Sequence, residues 1–276
     1  MMDQTAILRI DTIRIASVMQ RFFLFSILFV TFESSVMEKS KAKGLKNMKE
    51  HGKRFLFTGC IWMGAFAVWT LLIQTVDVQP LGVQGTRIGF ASMNVWFHTL
   101  TGVHLEIYHM TDWLGLVPIA VCLIFGGIGF FQMLKRRSLL KVDYDLFLLG
   151  IYYLLVIMAY LIFEMVPINY RPILIQGNLE SSYPSSTTLL VLCVMPTLTE
   201  QLKRRMKNSV ITRSISIVSS CFSAFMVLGR LICGVHWITD IIGSILFSAG
   251  LFYIYQSMVL LCSKDRENRS ADHGIS

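Results

Sequence analysis

Charge is what this chain has little of. Asp, Glu, Lys and Arg together make up 15% of its 276 residues, where soluble domains carry about 25%. So few ions cannot dress a water-facing surface. With a mean hydropathy of +0.59 and several apolar runs long enough to cross a bilayer, the composition points to a polytopic membrane protein. Paired cysteines are also missing. Cys60, Cys122, Cys193, Cys221, Cys233 and Cys262 are scattered through apolar segments with no Cys-x-x-Cys, so neither a zinc site nor a redox pair is signalled. They read as small buried hydrophobes. Internal repeats are lacking too. A transporter using Arg230 and Asp240 as coupling charges would interrupt its helices at matching places in two halves, and no such pairing is visible.

What is present is a series of spans. Six segments, at about 55–75, 113–134, 146–163, 186–202, 214–232 and 237–262, read as membrane helices. The fourth is the least apolar, because Pro196, Thr197 and Thr199 interrupt it, and it is expected to face protein rather than lipid. Lys and Arg set the orientation: seven fall in 38–54, four in 135–141, five in 203–213 and three after Ser263. The loops of the opposite side carry only Arg87 and Arg171, with Arg230 at a helix end. The positive-inside rule then places both termini in the cytoplasm. The formal charge of +8 is thereby explained by topology and anionic lipid, which argues against nucleic acid as a partner. The expected fold is all-α, a six-transmembrane-helix bundle at 55–263 between a basic cytoplasmic extension (1–54) and a cytoplasmic tail (264–276). No organelle address is present, which suggests a bacterial plasma membrane.

The first 36 residues include "RFFLFSILFV", a basic lead followed by an apolar core. Cleavage there as a signal peptide would export the basic 38–54 segment and reverse the topology. The stretch therefore reads as an interfacial extension, and translation starting at Met37 or Met48 would remove it.

Three features meet on the face opposite the basic loops. Loop 76–112 holds His98, His104, His109, Glu106, Asp112, Trp96 and Tyr108; His104 and His109 are five apart, off the spacing of a helical ligand pair, so a lid is expected and not a metal site. Loop 164–188 holds Arg171 before Pro172, an extended corner because proline disfavours helix in its predecessor. It continues to Pro184, placed in the first turn of the next helix, where the amides of Ser185, Ser186 and Thr187 would be free to meet an anion. The third feature is "GRLICGVHWITD", residues 229–240. Ionisable residues in a membrane segment are costly and mark function by default. His236 and Asp240 are four apart and share a helical face, so the carboxylate can hold the imidazole's tautomer. Gly234 lets the chain turn so that Arg230 and His236 converge. An ion-paired hairpin accounts for this stretch alone. Two arginines, a helix N-terminus and a carboxylate-backed histidine on one face compose a phosphoryl-transfer site, with a lipid phosphate as the substrate able to reach it laterally.

These residues resemble the type 2 phosphatidic acid phosphatase superfamily, the lipid phosphate phosphatases. The resemblance covers about 160–190 and 225–245. The family's first motif, Lys, six residues, Arg-Pro, matches at Arg171 and Pro172, with Glu164 at the lysine position. Its Pro-Ser-Gly-His matches at Pro184 and Ser185, with Ser186 and Thr187 replacing glycine and histidine. Its Ser-Arg, five residues, His, three residues, Asp matches at Arg230, His236 and Asp240, with Gly229 for serine. The resemblance implies that Arg171 and Arg230 grip phosphate and Ser185 donates to it. His236 would attack phosphorus to form a phosphohistidine, and Asp240 would orient it, with no metal or cofactor. It also implies losses. Thr187 cannot protonate a leaving group, help worth about 10²–10⁴-fold, and Glu164 must face away, pair with an arginine or be protonated. Either the leaving group is acidic, as in a lipid diphosphate, or Glu180 or a histidine of loop 76–112 supplies the proton, or the protein only binds a lipid phosphate. A vanadium-dependent haloperoxidase, a soluble relative, does not suit six spans.

Overall fold

A computed structural model describes residues 44–206 and 208–273. The predicted N-terminal extension over 1–36 and a start at Met37 lie outside them. In chain order the described residues form α1 (Gly44–Thr75), α2 (Ala91–Thr101), α3 (Leu105–Leu114), α4 (Leu116–Arg136), α5 (Tyr144–Met165), α6 (Ser186–Arg205), α7 (Ser209–Ile232) and α8 (Ile238–His273). Apart from three isolated bridge pairs, β structure is absent among them.

Five helical stretches are long and apolar enough to cross a bilayer: Glu50–Thr75, Leu105–Arg136, Tyr144–Met165, Ser209–Ile232 and Ile238–Ser263. The chain is an integral membrane protein with an all-helical fold. The second stretch starts earlier than the sequence suggested, because α3 runs into α4 through Gly115. The predicted fourth span corresponds to α6, which forms but falls short of the other five in apolar character. The reason is its position. It packs against α4, α5, α7 and α8, and Thr197, Thr199, Glu200 and Gln201 are buried in protein. Two of its polar groups find partners there: the hydroxyls of Thr197 and Tyr153 lie 2.7 Å apart, and Gln201 donates to the Tyr255 hydroxyl at 3.2 Å. Buried polar groups are tolerated when paired in this way. Lipid-facing apolar side chains sit on the outer helices instead, with Leu123 71% and Phe57 69% exposed.

The first and last spans hold the bundle closed. α1 packs along α8, and at Gly59 an added Cβ would come within 2.8 Å of Ile254 and 3.1 Å of the Gly250 carbonyl. Small residues permit such backbone approach where no aqueous hydrophobic effect drives helices together. α1 also reaches the loops that carry the site. The Trp69 indole donates to the Thr239 carbonyl at 3.1 Å, and the Thr70 and Tyr183 hydroxyls are 2.8 Å apart. The basic ends of α4 (Lys135, Arg136) and α6 (Lys203, Arg204, Arg205) lie at the other end of the bundle from the Ser186 end of α6.

Candidate active site

Arg171 reaches the site from a narrow hairpin. Tyr170 bridges Ser181 and Ile175 bridges Asn178, while the Arg171 amide donates to the Glu180 carbonyl at 3.1 Å. The extended corner expected at Arg171-Pro172 is thus one arm of a paired ribbon. Its Nε lies 3.2 Å from the Glu180 carboxylate and donates to the Ser181 carbonyl at 3.3 Å. Glu180, a candidate proton donor from the sequence, is therefore engaged as the counterion of Arg171.

Arg230 lies in the last turn of α7 and is 1% exposed. Its Nη2 donates to the Thr187 hydroxyl at 2.7 Å and stands 3.6 Å from the Asp112 carboxylate, while Nη1 donates weakly to Thr111 at 3.4 Å. Beneath both arginines lies one ring: the Tyr108 centroid is 4.8 Å from the Arg230 guanidinium carbon and 5.7 Å from that of Arg171. An aromatic face attracts cations, so Tyr108 eases the approach of two like charges. The two arginines predicted to share a ligand are therefore brought together.

The turn to His236 depends on Gly234, whose φ of +69° is costly for other residues. An added Cβ there would meet the Gly102 carbonyl oxygen at 2.0 Å. His236 is 3% exposed. Burial first, and then the charges of Arg171 and Arg230, hold its pKa well below the ordinary imidazole range, so the ring is neutral near pH 7. The expected direct contact with Asp240 is absent: Nδ1 and Oδ2 are 3.8 Å apart, beyond hydrogen-bond reach. Asp240 instead accepts from the Trp237 amide at 2.8 Å and from the Ser182 hydroxyl.

The second motif differs from expectation in detail. Pro184 precedes α6, and Ser185 is its N-cap residue. The Ser185 amide points to the Asp240 carbonyl at 3.4 Å, and its fully buried hydroxyl lies 3.0 Å from that of Thr188. Ser185 thus faces the bundle rather than the arginines. Ser186, half-buried, borders two openings. One is a narrow cleft with Ser182, His236 and Glu164 in its wall. Glu164 is exposed there, and no cation is paired with it among the described residues. The other is a groove of about 520 Å³ between α4 and α5, with Asp112, Ser186 and Thr187 at its polar end and Ile119, Val156, Ile157 and Leu190 along it.

Gly229 stands where the family resemblance has serine, and the packing explains it. An added Cβ would approach Thr111 Cγ2 to 2.6 Å, so the volume is already filled by a threonine whose hydroxyl meets Arg230. Gly229→Ser is expected to destabilise the protein by about 1–3 kcal/mol through overpacking, read as a lower Tm in detergent. Adding Thr111→Ala should restore most of that loss; two independent, additive losses would contradict this account.

None of the loop histidines pairs with Arg171, Arg230 or His236. His98 Nε2 lies 3.1 Å from the Gly234 carbonyl, His104 Nε2 2.9 Å from that of Thr101, and His109 is exposed. No cluster of metal-ligating residues is formed among the described residues. The loop proves to be helical from Ala91 onward, broken at 102–104, and it supplies Tyr108, Thr111 and Asp112. Their spacing of three and four on α3 is the signal that would have marked them as one face.

None of the curated proteins matches the chain. Among solved structures, a transmembrane PAP2-type phosphatidylglycerolphosphate phosphatase from Bacillus subtilis is similar, with 16% identity and a TM-score of 0.48 over 76% of this chain and 97% of that one. Residues 165–263 match the family model of the PAP2 superfamily. Over that stretch, which carries Arg171, Ser185, Arg230, His236 and Asp240, the chain resembles the PAP2 superfamily.

Proposed function

We propose that the protein is a membrane lipid phosphate or diphosphate phosphatase working through a phosphohistidine on the non-cytoplasmic face. One observation carries this reading. Arg171 Nη1, Arg230 Nε and His236 Nε2 are all buried without a hydrogen-bond partner, and they belong to side chains gathered around Tyr108 and Ser182. Leaving buried polar nitrogens unpaired is costly. Two come from cations over one tyrosine ring, whose charges also act on His236, and together the three suit a phosphate that would pair with them.

In the proposed reaction the Nε2 lone pair of His236 attacks phosphorus, and the bond from phosphorus to the lipid oxygen breaks with its electrons going to that oxygen. Water then attacks the phosphohistidine, the N–P bond breaks, and inorganic phosphate leaves. Arg171 and Arg230 hold the phosphoryl oxygens, exchanging some contact with Glu180 and Asp112 for contact with substrate. The groove between α4 and α5 takes the apolar tail. The basic helix ends at the opposite end of the bundle support a non-cytoplasmic site.

Thr187 favours a diphosphate. It stands at the family's acid position beside Arg230, and an alcohol hydroxyl is too weak an acid to protonate a departing alkoxide as an imidazolium would, whereas a lipid monophosphate leaves readily without a proton. Thr187→His is accordingly expected to speed hydrolysis of lipid monophosphates by about 10²–10⁴-fold and to change diphosphate hydrolysis little. Equal gains on both would remove the leaving-group argument. The same threonine supports the second reading, a protein that binds lipid phosphate without turnover. The deciding experiment incubates purified protein with prenyl and glycerol lipid mono- and diphosphates labelled in the terminal phosphate. Phosphate release with an acid-labile phosphoenzyme supports the enzyme. Retention of lipid with neither supports the binder.

A further inference from the structure

Ser182 belongs to none of the motif positions that point to catalysis, yet it occupies the space between the two residues that do. His236 Nδ1 and Asp240 Oδ2 are 3.8 Å apart. The Ser182 hydroxyl lies 3.2 Å from Nδ1 and donates to Oδ2. The Ser182 carbonyl oxygen also lies 3.2 Å from Nδ1.

Counting protons settles the direction of each bond. A serine hydroxyl has one proton to give, and here it goes to Asp240 Oδ2, the nearer of its two neighbours. Toward the imidazole the same oxygen therefore offers only a lone pair, as does the carbonyl. Both neighbours of Nδ1 are acceptors, so Nδ1 carries the ring proton. The lone pair is left on Nε2, the buried atom without a partner. The serine is itself held in place: its amide donates to the Asn169 carbonyl at 2.9 Å, closing the hairpin that carries Arg171. The next residue, Tyr183, is tied to α1 through Thr70.

We infer that Ser182 is a positioning residue whose carbonyl fixes the tautomer of His236 and whose hydroxyl links the imidazole to Asp240, so that the carboxylate acts on the nucleophile through the serine and not directly. The proposal rests on the phosphohistidine reading for its kinetic consequence, but not for its proton arrangement. When Nε2 bonds to phosphorus, the ring becomes cationic. The hydroxyl oxygen, polarised by the bond it donates to Asp240, then stabilises the charge on Nδ1–H. A serine present only to fill the core would do none of this.

The test is a double-mutant cycle with a spectroscopic arm. Ser182→Ala is expected to lower kcat by about 10–100-fold with KM nearly unchanged, and Ser182→Thr, which keeps the hydroxyl, should recover most of the loss. Asp240→Asn should cost far less in the Ser182→Ala background than in the wild type, because the link is already cut; coupled residues are non-additive in this way. Multiplicative losses would show that Asp240 works without the serine and would overturn the proposal. Thermal unfolding of each variant separates loss of fold from loss of rate. Independently of turnover, nitrogen-15 NMR of labelled His236 should find the proton on Nδ1 in wild type and its resonance moved in Ser182→Ala but not in Ser182→Thr. A wild type that releases no phosphate yet shows this dependence sinks the enzyme reading and leaves the link standing. A wild type that turns over with a resonance indifferent to Ser182 sinks the link alone.

Discussion

His236→Ala is expected to abolish phosphate release and phosphoenzyme labelling together, a loss of roughly 10⁴–10⁶-fold if the imidazole is the nucleophile. The two readouts should fall as one, because the other nucleophilic groups near the arginines, among the described residues, are engaged: Ser185 faces Thr188, Thr187 and Thr111 accept from Arg230, and Cys233 donates to the Arg230 carbonyl with its thiol pKa raised by burial. Binding should behave differently. Arg171 and Arg230 remain in place, so a lipid phosphate that is not hydrolysed should still be retained, and equilibrium binding of a labelled analogue would measure it. Phosphate release that survives in His236→Ala would move the chemistry elsewhere and refute the mechanism.

Arg230→Ala should have the next largest effect, and it should strike binding and rate at once. Each hydrogen bond from a cation to phosphate is worth about 1.5–3 kcal/mol, so losing two of them lowers kcat/KM by roughly 10²–10⁴-fold. Arg171→Ala should act in the same sense but less, since Arg171 is already bound to Glu180 and gives up more of that contact to hold substrate. Arg230→Lys is not expected to rescue. An ammonium cannot keep the bond to Thr187 while presenting a second donor to phosphate, as the planar fork can. The comparison is read from kcat/KM for a lipid diphosphate and from retention of the non-hydrolysed analogue. If Arg230→Ala and Arg230→Lys both bind lipid phosphate as wild type does, the arginine is only a buried counterion of Asp112.

Much of the architecture could be read directly from residue order. Apolar runs bounded by basic clusters located the helices, because both are local properties of the chain. The spacing of Arg230, His236 and Asp240 pointed to one site, with the turn at Gly234 between the arginine and the histidine. Other parts were illegible for a physical reason. Ser182 gains its place from a hairpin that pairs Tyr170 with Ser181 and from packing against a helix far along the chain, and nothing adjacent to it in sequence signals either. The 76–112 segment read as a loop because its polar and aromatic residues resemble an interface. Folded, its two short helices α2 and α3 are anchored by His98 on Gly234 and by the His104 amide on the Cys233 carbonyl at 2.9 Å. The spacing of His236 and Asp240 implied a shared helical face, but α8 begins only at Ile238 and His236 lies in the bend before it.

Tyr108 and Thr111 lie well upstream of the stretch that matches the superfamily, yet they form the bed on which Arg230 rests. The half that carries the proposed site is therefore not portable. A fragment beginning at Met165, or a chimera joining it to another protein's front half, would leave the Arg230 side chain without the aromatic face and hydroxyl that receive it. Exchange between distant relatives should succeed only when α3 (Leu105–Leu114) travels with its arginine.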